Sequence, residues 1–307
     1  MTRPDADVAL LTDRRYAAPM AASGDWYLGN ILADDGLLAA ALSARGLACR
    51  RVAWDDPTVD WRSFRLAVFR TTWDYAERFA AFAAWLPRVA AATQLMNPPD
   101  LVTWNLDKHY LATLATAEVP VVTTAFLERG GGLDLAGILR DRGWEEGVVK
   151  PCVSAGARHT YRFTVATAEA TEAVIAPLLA EEAFMVQPFE RRVLEDGEDS
   201  LMVFGGQVTH AVRKRGAAGD FRVQDDFGGT VQPSRPDGAQ IDLALRAVAA
   251  CPRSPAYARV DMVRSRDGGW RLMELELVEP EVWLRLHPPA ADAFAAALVS
   301  RLDDRQT

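Results

Sequence analysis

The sequence predicts an α/β protein, with a largely parallel sheet in its N-terminal part and lobes of α+β character after it. Three observations carry this. Up to Asn97-Pro98-Pro99, short apolar runs alternate with stretches whose large residues recur at helical spacing, the pattern of strand–helix–strand units and a parallel sheet. From Ser200 onward, apolar runs follow one another directly, with Gly205-Gly206 between two of them, which signals a hairpin. The chain has 307 residues, 50% of them hydrophobic, enough to bury the cores of two or three packed lobes.

The elements follow in order. Strands are expected at 8–12, 47–54 and 66–70, and helices at 37–44, stopped by Gly46, and at 75–92, where Phe79, Phe82, Leu86 and Val89 share a face. Asn97-Pro98-Pro99 breaks the pattern and sets a first boundary. Beyond it come a helix at 108–116, a strand at 121–126, a helix at 134–142 and a strand at 147–150. A small-residue loop at 154–157, a strand at 159–163, a helix at 168–181 and a strand at 184–187 follow. Strands at 201–204 and 208–213, a glycine- and charge-rich loop at 216–229 and a helix at 241–250 come next. Strands at 257–263 and 270–277 and a helix at 290–302 close the chain. The expected division is 1–99, 100–188 and 189–307.

Composition excludes several classes. A net charge of −8 and a pI near 5.2 leave no broad basic face for nucleic acid or an anionic membrane. Cys49, Cys152 and Cys251 are widely spaced and odd in number, so neither a disulfide framework nor a zinc site is expected. The four histidines, His109, His159, His210 and His287, show no metal-ligand spacing. No apolar run approaches ~18–20 residues, and 1–8 carries no signal pattern, so a cytoplasmic protein without a membrane span is expected. Of the 34 basic residues only Lys108, Lys150 and Lys214 are lysine. A compact ammonium fits a crowded phosphate site that excludes the wide guanidinium, so these three are candidates. Their alternative is three leftovers with no role.

Five groupings could carry chemistry. Gly147-Val148-Val149-Lys150-Pro151 delivers one lysine to a strand end, and Ser154-Ala155-Gly156-Ala157 then lets backbone amides approach phosphate. Lys108 stands at a helix start, where Asn105 or Asp107 could cap and where a cation is disfavoured unless an anion is near. Arg259 and Asp261 lie two apart on one strand, and Glu274 and Glu276 on another. Each pair therefore shares a face, and a turn at Asp267 to Gly269 would bring three carboxylates together. Such carboxylates raise one another's pKa unless a cation sits among them, and Mg²⁺ suits that donor set. Phe184 to Phe189 runs into Pro188, freeing backbone groups that could read an adenine edge. Arg213-Lys214-Arg215 with Arg222 forms a basic cluster in an acidic chain. The alternatives are an edge strand and turn for the first, a solvated lysine for the second, a polar strand edge for the third and a surface patch for the last.

Taken together, these pieces resemble the ATP-grasp superfamily, in the branch of glutathione synthetase and the ribosomal-protein glutamate ligases. Asn97-Pro98, Trp104-Asn105, Asp107-Lys108, Arg70-Thr71-Thr72-Trp73-Asp74-Tyr75 and Glu274-Leu275-Glu276 are similar to the cyclo-ligases that close cycloserine from O-ureido-serine. The resemblance implies an ATP-grasp fold behind an N-terminal parallel-sheet domain. It implies ATP phosphates at Lys108 and Lys150, and the adenine at Gln187 and Phe189 with the ribose near Glu198. It places Arg213 and Lys214 by the triphosphate, and two Mg²⁺, replaceable by Mn²⁺, on Asp261, Glu274 and Glu276. Arg259 faces the transferred phosphate. Two departures stand out: the 154–157 loop is poor in glycine, and Glu276 replaces the usual Asn.

The implied reaction joins a carboxylate to a nitrogen through an acyl phosphate, with Lys150, Lys214 and Arg259 as the catalytic cations and the 154–157 loop as a lid. An amino-acid-like carboxylate would meet the first lobe at Arg70, Trp73, Asp74 and Tyr75, with Arg222 nearby; their alternative is a polar strand end. Two other readings stand beside cyclisation: an intermolecular amino-acid or peptide ligase, and a nucleotide-responsive binding protein without turnover. A homodimer is the default for a soluble enzyme.

Overall fold

Apolar runs with no polar face need cover on both sides, and the first sheet supplies it. The computed structural model describes residues 6–217 and 228–303. Strands β1 (Val8–Thr12), β2 (Cys49–Ala53), β3 (Leu66–Thr71) and β4 (Gln94–Met96) pair in parallel in the order β2-β1-β3-β4. Alternate residues of β1 point to opposite faces. Val8 and Leu10 join one apolar cluster with Leu38, Leu42, Phe294 and Leu298. Ala9 and Leu11 join another with Phe82, Trp85 and Leu86. The helices behind these clusters are α1 (Trp26–Ser43) and α2 (Phe79–Ala90), and the C-terminal helix shares the α1 side.

Two helices differ from expectation. α1 starts eleven residues before the expected 37, capped by the Asp25 carboxylate, which accepts from Leu28 N at 3.0 Å. Gly29 and Asp34-Asp35-Gly36 lower local propensity there, but buried ion pairs hold the turn. Arg285 reaches Asp34 at 2.9 Å, and Arg70 and Arg51 reach Asp35 at 2.9 and 2.8 Å. α3 (Pro99–Leu106) lies where the proline pair reads as a break. Proline at the first helical position is pre-set for a helix and lacks only an N–H that would be unused.

α4 (Tyr110–Thr116) follows, and then a second sheet forms from β5 (Ala125–Leu127), β6 (Glu146–Pro151), β7 (Tyr161–Thr164) and β8 (Phe184–Pro188), antiparallel in the order β5-β8-β6-β7. Helices α5 (Leu135–Arg142) and α6 (Ala168–Leu179) cover it through Leu135, Leu139, Ile175 and Leu179. After α7 (Arg192–Glu195), the third sheet contains β9 (Glu198–Phe204), β10 (Gln207–Arg215), β11 (Thr230–Ser234), β12 (Tyr257–Arg264) and β13 (Trp270–Glu276), in the order β11-β10-β9-β12-β13. Helix α8 (Gly238–Ala249) packs on it, and α9 (Ala290–Asp303) returns to the first sheet. Leu101, Leu111 and Leu114 of α3 and α4 share one apolar cluster with Leu243, Ala258 and Leu275 of the third-sheet layer, and Met185 of β8 joins it.

Asn105 and Asp107 do not cap a helix start as expected. Asp107 closes α3, and its carboxylate accepts the backbone N–H of His109 at 3.0 Å. Asn105 is buried, and its amide donates to Leu275 O and accepts from Leu277 N, both at 2.8 Å. It therefore holds β13 in place. Asn97 does similar work one step earlier, donating to Tyr257 O and Leu277 O at 3.0 and 2.8 Å. Replacing Asn105 with Ala leaves a buried N–H and a buried carbonyl without partners. Urea unfolding of Asn105→Ala is expected to show a loss of about 2–4 kcal/mol; a change below ~0.5 kcal/mol would show that β13 does not need this tether.

Candidate active site

The hairpin of β12 and β13 forms because two strands of period two meet at a turn that needs glycine. Gly268 takes φ +82°, and Ser265 N donates to Gly269 O at 2.9 Å. The register sets Arg259 opposite Glu276 and Asp261 opposite Glu274. Alternation along the two strands puts these charged residues on one face while Val260 and Leu275 enter the core; a bulge follows, with Met262 opposite Leu272. All four charged side chains line a cleft of about 510 Å³.

The same cleft collects the three lysines. Lys108 Nζ donates to Ser154 O at 2.8 Å and pairs with Glu274 at 3.0 Å. Lys214 pairs with Glu198 and, at 3.2 Å, with Asp261. Arg259 grips Asp261 through Nε at 2.9 Å and Nη2 at 2.8 Å, and also pairs with Glu276. Its guanidinium lies 5.2 Å from the Trp283 ring centre. The ammonium of Lys150, near the end of β6, makes no hydrogen bond or ion pair among the described residues, and burial pulls it down from the ordinary value.

The carboxyls respond unequally. Burial pushes Asp261 up, but Arg259 and Lys214 outweigh it and hold the group well below the usual carboxylate range. For Glu274, burial is likewise outweighed by Lys108 and Lys150, and the pKa falls. Glu276 is different. Burial pushes it up to about 7 despite Arg259, and Asp261 and Glu274 add to the rise. Burial and then Glu276 push Glu279 up to about 8.

Gln187 and Phe189 line the same cleft. The Gln187 amide donates to Thr124 Oγ1 at 3.0 Å, and the Arg162 guanidinium sits 3.8 Å over the Phe189 ring. The 154–157 loop borders the cleft, with Gly156 and Ala157 at φ +60° and +57°. An alanine therefore holds a backbone shape that glycine adopts without strain.

Other expected residues are elsewhere. Arg213 neighbours Lys214 on β10 and so faces the other way; it binds Asp199 at 2.6 and 2.8 Å. Arg70 is buried at 2% exposure, on Asp35, with Nη1 3.5 Å from Pro280 O. Asp74 accepts from Trp54 Nε1 at 2.7 Å and from Arg78 at 3.0 Å. Tyr75 is buried behind the 154–157 loop, its hydroxyl 3.5 Å from Ser154 O. Of the four first-lobe residues only Trp73 lines the cleft. Arg222 lies outside the described residues. Residues that sequence reasoning missed also line it: Arg15, Tyr16, Tyr27, Glu279 and Trp283. The spacing of Glu279 and Glu281 just beyond Glu274 and Glu276 is the signal that could have extended the site. One histidine does meet other ligand types: Asp107, His109 and Cys152 bring ligand atoms within 4.8 Å of one another. Burial pushes the Cys152 thiol up, so the thiolate a metal needs is disfavoured there.

The donor set fits a hard divalent ion. Its donors are carboxylate oxygens on one face, and the set includes no thiol or imidazole. The three lysines beside it suit the phosphates of a nucleotide.

Residues 8–97 match the family model of the D-cycloserine synthetase DcsG N-terminal domain. The cycloserine biosynthesis protein DcsG of Streptomyces lavendulae is 36% identical over 282 residues, covering 83% of this chain and 91% of that protein. The chain belongs to the D-cycloserine synthetase family of ATP-grasp ligases. The crystal structure of D-cycloserine synthetase DcsG superposes with a TM-score of 0.84 at 34% identity, covering 96% of this chain and 99% of that one. A RimK domain ATP-grasp protein from Sphaerobacter thermophilus DSM 20745 shares the fold, with a TM-score of 0.66 at 18% identity over 96% of this chain and 100% of its own. The ATP-grasp fold and its ATP-dependent ligase character, with a divalent metal in general, therefore stand. Among the described residues, no helix is long and apolar enough to cross a membrane.

A pH-linked prediction follows from Glu276. Its pKa is raised to about 7 without a metal, so near neutral pH a fraction is protonated. A bound cation favours the carboxylate and expels that proton. Calorimetry of Mg²⁺-nucleotide binding at pH 7, in buffers of different ionisation enthalpy, is expected to show release of roughly 0.5 proton per protein. An enthalpy independent of buffer would contradict this.

Proposed function

We propose that this ligase closes O-ureido-serine to the cycloserine ring, with Mg²⁺ as the working ion. The observation that carries the reading is the meeting of Asp261, Glu274 and Glu276 with Lys108, Lys150 and Lys214 in one cleft, in a chain whose relative named for cycloserine biosynthesis matches over nearly its whole length. Lobes divided at about residues 99 and 188 would place the nucleotide between the second and third.

Lys108 and Lys150 hold the phosphates, and the free ammonium of Lys150 is the group best placed to accept a new anion. Gln187 and Phe189 flank the adenine, and Glu198 lies by the ribose. Arg213, turned to the opposite face, has no part. Asp261, Glu274 and Glu276 would hold the metal, which when bound would supply positive charge against the nucleotide's phosphates. The substrate carboxylate attacks the γ-phosphorus, the bond to the β-phosphate oxygen breaks, and ADP leaves. Both partners are anions, and Lys150, Lys214 and Arg259 offset their repulsion. The oxyamide nitrogen of the same molecule then attacks the acyl carbon and phosphate departs. Loss of the carbamoyl group with water, as carbon dioxide and ammonia, leaves the ring. Loop 154–157 and the aromatic residues of the first lobe keep water from the acyl phosphate.

ADP release with O-ureido-serine in both configurations and no added amine tests the reading. Turnover on the ureido compound alone is expected. Release only after a second substrate is added would mean an intermolecular ligase. Lys150→Ala and Glu274→Gln should each lower kcat/KM by on the order of 10²–10³ while circular dichroism stays native. Near-normal turnover in either would remove that residue from the machinery.

A further inference from the structure

The nucleotide and metal assignments leave one end of the cleft unused, the end facing the first sheet. Glu279 stands there. It is buried at 6% exposure and lines the cleft. No ion pair joins its carboxyl to a cation among the described residues; Lys108 attracts it but makes its own ion pair with Glu274. Two residues of the turn after β3 fix its place. The Tyr75 hydroxyl lies beside its carboxyl, and Trp73 Nε1 donates to its backbone carbonyl at 3.0 Å. Arg70 approaches the next carbonyl, that of Pro280, at 3.5 Å. Glu279 is thus held from the substrate side, three residues beyond the last hairpin carboxylate.

Three rings stand around that end. Tyr16 and Trp73 have centres 5.5 Å apart, Tyr16 and Tyr27 5.7 Å, and Tyr27 and Trp73 5.9 Å, and all three line the cleft. A buried carboxylate without a cation is costly. An acid bordered by aromatic rings matches an organic ammonium, which a carboxylate neutralises and ring faces attract. A metal would gain nothing from the rings.

We propose that Glu279, with Tyr16, Tyr27 and Trp73, binds the α-ammonium group of the substrate, so that the enzyme takes amino-acid carboxylates and rejects their des-amino counterparts. The inference rests on the carboxylate-ligase reading but not on the ureido substrate. It deepens that reading by assigning the group that selects the substrate.

The test pairs each carboxylate in the ADP-release panel with its des-amino counterpart, O-ureido-serine with 3-(ureidooxy)propanoate among them. For whichever carboxylate supports turnover, removing the amine is expected to lower wild-type kcat/KM on the order of 30-fold or more. Glu279→Gln should raise KM for the amino acid by a similar factor and erase the preference. KM for ATP should stay within about twofold, and Glu279→Asp should recover part of the loss. A wild type that uses both members of a pair equally overturns the proposal, even if the variants fail to fold. So does Glu279→Gln with an unchanged KM for the amino acid, or with a changed metal requirement instead. If another amino acid replaces the ureido compound as substrate, the cyclisation reading fails, and the paired comparison decides the ammonium site on that substrate.

Discussion

Charge balance within one buried cleft is the constraint on which the rest of the structure depends. Glu198, Asp261, Glu274, Glu276 and Glu279 face Lys108, Lys150, Lys214 and Arg259. Buried carboxylates in such number repel one another, and each is tolerable only beside a cation. Asp261 sits at the centre, held by Arg259 at 2.8 Å and Lys214 at 3.2 Å. The balance is incomplete at both ends. Lys150 is a cation without a paired acid among the described residues, and Glu276 and Glu279 are pushed up to about 7 and about 8. A polyanion at Lys150, a divalent ion at Glu276 and a substrate ammonium at Glu279 would fill these deficits, and for that reason the electrostatics and the ligase chemistry point the same way.

The scaffold holds this hairpin from outside the third sheet. Asn97 and Asn105 bind backbone groups of β12 and β13. The Tyr257 hydroxyl reaches Met96 O at 2.8 Å and Val278 O at 3.1 Å. Helix α9 closes the first sheet over the same core. The loop after β13 is thereby tied to the first sheet through Arg70, Trp73 and the Arg285–Asp34 pair. The first-lobe turn that carries Trp73 and the hairpin that carries Asp261, Glu274 and Glu276 are thus tied into one hydrogen-bonded frame.

Sequence made the hairpin legible for a simple reason. Charged residues two apart on each strand must share a face, and Gly268-Gly269 marks the turn between them. The three lysines were legible as exceptions in an arginine-rich chain. Arg70 and Asp74 misled because a polar run at a strand end looks the same whether it meets a ligand or a buried partner. Here the partners, Asp35 and Trp54, come from distant segments. Arg213 misled through parity, since adjacent strand residues point apart. The start of α1 and the whole of α3 were hidden where tertiary ion pairs and a proline-initiated turn override propensity. Tyr16 and Tyr27 could not be placed at all, because nothing local links them to Trp73.

Anomalous diffraction from crystals grown with Mn²⁺ and a non-hydrolysable ATP analogue tests the central claim most directly. The account predicts metal peaks in direct contact with the carboxylates of Asp261, Glu274 and Glu276, with the triphosphate against Lys108, Lys150 and Lys214. Nucleotide bound elsewhere, with no peak on that hairpin and the Lys108–Glu274 and Arg259–Glu276 pairs intact, would contradict it.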